Sequence, residues 1–238
     1  IQYFDGRVSR KSKTWNNVDK ELKTDESIGK QLKSSAGVRK WQNKNQLEKA
    51  KAIVKFIQET YTWNGKHQMH NRASVKNLVK TKSGKASEIN ILLHNNLKEN
   101  GIKVAPVSPS TRERGFATKL YPVISDFNYL IVEAQIEGKT YYLDATNKYL
   151  TFGQLPYKCL NQYGRRLDFK NGSRWVDIEA KNVSSIQHKV DLKLNIEDEI
   201  IEGTVEGKYL GYYATDKKDD YFSNQTQYIE DMQNEQED

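Results

Sequence analysis

Apolar residues recur at helical spacing in two stretches of the chain. From Gln46 onward Leu47, Ala50, Ile53, Val54, Ile57 and Tyr61 fall on one face of a 3.6-residue period, and Asn43 or Asn45 stands where an N-cap belongs. Trp63-Asn64-Gly65 breaks the pattern, so an amphipathic helix ending before it is predicted. The second stretch, Ala86 to Asn100, carries Ile89, Leu92, Leu93 and Leu97. Gly101 closes it, as suits the left-handed position just past a helix end. Lys82-Ser83-Gly84-Lys85 supplies a small-residue turn into its N-terminus. The period then falls to two or to short apolar runs at Lys103–Val107, Tyr129–Ile136 and Lys139–Leu143, the last two joined by a hairpin-like Glu137-Gly138. The middle third therefore reads helix, helix, sheet, which predicts an α+β fold.

The flanks differ. Residues 1–45 are polar, with spaced aromatics (Tyr3, Phe4, Trp15, Trp41) and few aliphatic residues; they cannot form a core alone and are expected to wrap onto the helices and strands beyond residue 45. Beyond Arg166, Val190, Leu192, Leu194 and Ile196 alternate with polar residues, and Ile200 to Tyr213 is rich in strand formers. The expected organisation is a polar wrap over 1–45, a core over 46–170, and a β extension with an acidic, helical tail over 171–238.

The length of 238 residues suits one large domain or two small ones, and the net charge is +7. Eight acids against two lysines between Asp216 and Asp238 place −6 in the tail and leave +13 on the rest. Such a charge raises a nucleic-acid hypothesis, but the lysines are interleaved with acids and no nucleic-acid motif accompanies them; a solvated lysine-rich surface is preferred. No run approaches the ~20 apolar residues of a membrane-spanning helix, and no signal peptide opens the chain. Because it begins at Ile1 on residues that read as mid-domain, a longer parent chain is expected. The single cysteine, Cys159, excludes an internal disulfide and any multi-thiolate zinc site.

Three segments carry a resemblance: the turn into a helix at Ser83-Gly84-Lys85-Ala86-Ser87-Glu88-Ile89-Asn90, then Phe127-Asn128-Tyr129-Leu130-Ile131-Val132, then Tyr142-Leu143-Asp144-Ala145-Thr146. Together they resemble the transglutaminase-like domain of the papain-type cysteine-enzyme superfamily over about residues 46–170. Val107-Ser108-Pro109-Ser110-Thr111-Arg112 and Leu155-Pro156-Tyr157-Lys158-Cys159-Leu160-Asn161 narrow the likeness to such domains in large multidomain proteins of Bacteroidetes-type bacteria. The resemblance implies a helix carrying the nucleophile position packed on an antiparallel sheet, and a parent protein of the bacterial envelope, periplasmic or at the cell surface.

The family pattern is Gly-x-Cys at a helix start, His at a strand start and Asp at the end of the next strand. A thiol at a helix N-terminus beside a histidine is held toward thiolate, and the Asp fixes the imidazole tautomer. Carried over, the pattern puts Ala86 in the cysteine position, Tyr129 in the histidine position and Asp144 in its own. A methyl group is no nucleophile, and a phenol with a pKa near ~10 is a poor base at neutral pH. An engineered Cys-to-Ala change would account for Ala86 but not for Tyr129, so natural degeneration is preferred.

Substitute chemistry fares worse. Ser87 and His94 share a helix face but lie ~10 Å apart along the axis. His94 reads as a partly exposed helix histidine. His67 and His70 have a metal-like spacing without a third ligand, His188 reads as an ordinary sheet histidine, and Cys159 as a buried structural one. No cofactor and no metal is expected. A groove lined by Ala86, Tyr129, Asp144 and Trp63 could still bind, with Arg112 and Arg114 in the Pro109–Gly115 loop placed to clamp a carboxylate or an acidic glycan group; for Trp63 space-filling, and for the arginines solvated loop charge, are the competing readings. Two functions stay open: an inactive transglutaminase-like domain that binds peptide or glycan or organises neighbouring domains, which is preferred, and a cysteine-type protease, amidase or acyltransferase whose nucleophile has been mutated.

Overall fold

The computed structural model describes residues 2–4, 7–9, 14–42, 45–67, 69, 72–180 and 183–234, with side chains from Thr14 onward. The chain divides into two compact units, Ile1–Glu179 and Ala180–Asp238.

The first unit opens with a short antiparallel pair, β1 (Gln2–Phe4) and β2 (Arg7–Ser9), followed by helix α1 (Trp15–Thr24), which Thr14 caps. Helix α2 (Gln46–Thr60) starts at Asn45, whose side chain accepts the Glu48 N–H. The two-residue strand β3 (Thr62–Trp63) follows, then α3 (Val75–Thr81), β4 (Ser83–Gly84) and α4 (Ala86–Glu99). Strands β5 (Lys103–Pro109), β6 (Ile131–Ile136), β7 (Lys139–Leu143), β8 (Gln162–Arg166) and β9 (Arg174–Ile178) form one antiparallel sheet in the order β7-β6-β5-β8-β9. Helix α4 lies against β5 and β6, with α2 and α3 packed on it. The fold is thus α+β, a helical layer on an antiparallel sheet.

Helix α4 is enclosed on every side: each residue from Ala86 to Leu97 is buried. Its spacing announces one apolar face, yet its polar face is also covered, and the covering is the segment around residues 27–41. Asn95 donates to the carbonyls of Gln31 and Ser34, and Asn96 donates to that of Gly37 and accepts the Arg39 N–H. Asn100 accepts the Trp41 N–H and donates to Arg39. A segment poor in aliphatic residues is therefore held by amide side chains that satisfy its backbone, each such bond netting about 1 kcal/mol. His94 differs from its expectation: the same covering leaves it 5% exposed, with Nδ1 2.9 Å from Asn95 Oδ1.

Helix α1 is anchored from the far edge of the sheet. Arg165 on β8 forms a buried ion pair with Asp19 at 2.9 Å and lies over the Trp15 ring, which meets Trp175 of β9 edge-on. Because β9 pairs with β8 along its whole length, residues 174–178 belong to this sheet; the unit boundary falls after Glu179 rather than at 170.

The second unit is a long antiparallel hairpin, β10 (Ser185–Asn195) and β11 (Ile200–Leu210), followed by helices α5 (Tyr212–Ser223) and α6 (Gln225–Asn234).

Candidate functional site

The N-terminus of α4 is fixed by a chain of backbone bonds. Residues 62–66 run parallel to 82–86: Thr62 N–H bonds Lys82 O, Asn64 N–H bonds Gly84 O, and Ala86 N–H bonds Lys66 O at 3.1 Å. Glu88 then closes the turn, accepting the N–H groups of Lys85 and Ser74, each at 2.7 Å. Gly84 has no room for a side chain there, since a Cβ would lie 2.6 Å from Glu88 Oε2 and 2.8 Å from Leu78 Cδ1. These bonds place Ala86 at the first turn of the helix with its methyl group fully buried.

Tyr129, just ahead of β6, shares one apolar cluster with Ala86, Val107, Ile131, Leu155 and Cys159, and is itself fully buried. Its hydroxyl donates to Asp144 Oδ2 at 3.1 Å and lies 3.1 Å from Thr146 Oγ1. Asp144, at the end of β7, is enclosed by donors: Asn90 Nδ2 at 2.6 Å on Oδ2, and the Thr146 N–H at 2.8 Å and hydroxyl on Oδ1. Burial raises the Asp144 pKa above the usual carboxylate value, and the bonds from Thr146, Asn90 and Tyr129 pull against that shift. Burial, and then the neighbouring Asp144 charge, push the Tyr129 phenol well above its ordinary value. Tyr129 is therefore a neutral donor at physiological pH and no base.

Sequence pattern alone misses Asn90, although it lies one turn beyond Ala86. Its Nδ2 also donates to Leu130 O at 2.8 Å, and its Oδ1 accepts the Ala145 N–H at 3.0 Å. One side chain thus ties α4 to the segments bearing both Tyr129 and Asp144.

The rim is aromatic and basic. Trp63 is half-buried, donates Nε1–H to Lys66 O, stacks on His67 with ring centres 5.0 Å apart, and carries Lys158 Nζ 4.1 Å from its ring centre. The His67 ring also lies 5.6 Å from that of Tyr129, and its Nδ1 is buried with no partner among the described residues. Burial, then the Lys158 charge, lower the His67 pKa, so the ring is neutral at pH 7. His67 therefore belongs to this site; His70, its expected partner in a histidine pair, lies outside the described residues. Arg112 sits over the Tyr157 ring and donates to Leu160 O, while Arg114 is exposed. Their loop is pinned at both ends: Asn128 exchanges two bonds with Thr111, and Asn161 donates to the carbonyls of Ser110 and Gly115.

Of the other candidates, Cys159 joins this cluster. Cys159 is buried beside Tyr129, and burial, reinforced by the Asp144 charge, raises its thiol pKa well above the ordinary value, which disfavours a thiolate. Ser87 is buried in the first turn of α4, with His94 two turns along. His188 stands on β10, 3.3 Å from the Tyr209 hydroxyl. Among the described residues no group of three or more His, Cys, Asp or Glu is placed to hold a metal, and no helix is long and apolar enough to cross a membrane.

Comparison with known proteins adds little to this geometry. No family model and no curated protein matches the chain. Among solved structures, it is similar to a candidate protease from Parabacteroides distasonis, at 18% identity and a TM-score of 0.44 over 71% of this chain. It is also similar to a candidate cysteine protease from Cytophaga hutchinsonii, at 12% identity and a TM-score of 0.35 over 86%. The matches span 31% and 54% of those two chains, respectively.

Proposed function

We propose that the first unit is a transglutaminase-like domain of the papain-type superfamily that has lost its chemistry and serves as a binding or organising module for peptide or glycan. The observation that carries this reading is the bond from the Tyr129 hydroxyl to Asp144 beside the Ala86 methyl group. The acid that would orient an imidazole orients a phenol instead, and the neighbouring position has no lone pair to activate. Both side chains are fully buried, so recognition falls to the rim. There Trp63, Arg112, Arg114 and Lys158 combine aromatic surface with positive charge, which suits a ligand bearing carboxylates. The module belongs to a larger bacterial envelope protein, periplasmic or at the cell surface.

The competing reading, an enzyme silenced by loss of one nucleophile, is favoured by His67, an imidazole against Tyr129 on the segment whose Lys66 carbonyl holds Ala86. The Ala86→Cys variant separates the two. The proposed reading expects a thiol that alkylates slowly at neutral pH and no turnover of amide or ester substrates. Rapid alkylation with an ionisation near neutrality, together with turnover, would refute it in favour of the enzyme.

A further inference from the structure

The segment that covers the polar face of α4 does not close on it completely. Between the residues from Leu32 to Lys40 and the last turns of α4 lies a cavity of about 350 Å³, within the ~300–1,000 Å³ of small-molecule sites. Asn95, itself buried, lines it, and the two bonds from its amide to the carbonyls of Gln31 and Ser34 fasten one side of the cavity to the other. Ala86 stands at the opposite end of the helix, ~18 Å from Lys98 along the axis. The cavity is therefore separate from the pocket around Tyr129 and Asp144.

Its charge is one-sided. Lys33, Arg39 and Lys40 line it from the covering segment and Lys98 from α4, and Glu99 is the one acid among the described residues around it. That acid is already committed, because Lys40 Nζ lies 2.6 Å from Glu99 Oε1 and also donates to the Glu99 carbonyl. Arg39 is held elsewhere, its guanidinium 4.3 Å from the centre of the Phe56 ring on α2. Lys33 and Lys98 are left, both exposed and neither in an ion pair among the described residues, one on each side of the concavity. Like charges so placed focus a positive potential into the space between them. Two hydroxyls accompany them: Ser34 Oγ accepts the Ala36 N–H, which leaves its own proton to donate, and Ser35 is exposed at the same edge.

We propose that this cavity binds a small phosphorylated molecule, with a phosphate group between Lys33 and Lys98 and the Ser34 and Ser35 hydroxyls donating to its oxygens. Ammonium groups and hydroxyls suit a tetrahedral anion rich in acceptor oxygens. A carboxylate is matched best by an arginine fork, and the Arg39 fork is stacked on Phe56. The bound phosphate joins the covering segment to α4 by charge, where amide hydrogen bonds alone join them otherwise. Binding therefore stabilises the folded cover.

Inorganic pyrophosphate is the probe, titrated calorimetrically into the whole chain without divalent metal and at constant ionic strength set with sodium chloride. The expected result is saturable binding of one pyrophosphate per chain, a rise in Tm of about 3–8 °C at saturation, and slower amide exchange over residues 32–40. Lys33→Ala and Lys98→Ala should each weaken binding about tenfold. Both side chains are exposed, so the Tm of either variant without pyrophosphate should match that of the unaltered chain, which separates loss of binding from loss of fold. Lys20→Ala, which removes an exposed cation from α1, should bind as the unaltered chain does. Absence of saturable binding overturns the proposal, as does an affinity lowered equally by all three lysine variants, which would mark general charge screening. Citrate binding as tightly as pyrophosphate overturns the assignment to phosphate.

Discussion

The Tyr129 hydroxyl and the Asp144 carboxylate stand 3.1 Å apart in a fully buried pocket, with Asn90 and Thr146 supplying the remaining donors. A carboxylate so enclosed is a structural acid, and its contribution is measurable. Tyr129→Phe removes one donor and leaves shape unchanged, so it should destabilise the first unit by about 1–3 kcal/mol in urea unfolding. A change below about 0.3 kcal/mol would show that this bond contributes nothing net.

Asn90 makes three buried hydrogen bonds across the site, and each partner is left without it in Asn90→Ala. The expected loss is about 3 kcal/mol or more, larger than for Tyr129→Phe, because a main-chain donor, a main-chain acceptor and a carboxylate are orphaned together. Chemical denaturation of the two variants side by side checks the order.

His94 sets a pH window. Burial lowers its pKa from 6.5 to about 4. The unfolded chain binds a proton below 6.5 that the folded chain takes up only near 4, so stability is full above pH 6.5 and falls as pH drops toward 4. The loss from this residue is about 3 kcal/mol at the bottom of the window. His94→Gln should flatten the stability–pH curve between those limits, as measured by urea midpoints at successive pH values.

The buried Asp19–Arg165 pair ties α1 to the sheet, and Asp19 also accepts the Ser173 N–H. Asp19→Ala leaves a guanidinium enclosed without its charge partner, at a cost of about 3–5 kcal/mol. Hydrogen exchange should show faster opening of α1 than of α4; uniform acceleration across both would contradict this local role.

Gly84→Ala forces a methyl group against Glu88 and Leu78 at the turn into α4. A destabilisation of about 1–3 kcal/mol is expected by thermal or chemical unfolding, as for other overpacked sites.

Much of this architecture is legible in the sequence. The helices at Gln46 and Ala86 and the strands beyond them announce themselves by spacing, and their observed ends lie within a few residues of those expected. Helix α3, seven residues with two buried ones, carries too short a period to be read. Helix α1 buries only Val18 and Leu22 among its aliphatic residues, and the rest of its anchorage comes from Trp15, Asp19 and distant Arg165. Strand β9 falls within the expected extension because nothing local reveals its partner, β8. The family spacing brings Ala86, Tyr129 and Asp144 into view, but His67 reaches the site only through the short parallel ladder between residues 62–63 and 83–84, a pairing no local pattern encodes. His94 reads as partly exposed because the amides that fasten the wrap over it look like ordinary helix-surface asparagines.

The solitary, sealed thiol of Cys159 has a further consequence. In the folded protein it is shielded from maleimide reagents, so a second cysteine introduced on any exposed position becomes the preferred anchor for a fluorophore or spin label without removing the native one. Distances from rim to hairpin are then open to direct spectroscopic measurement.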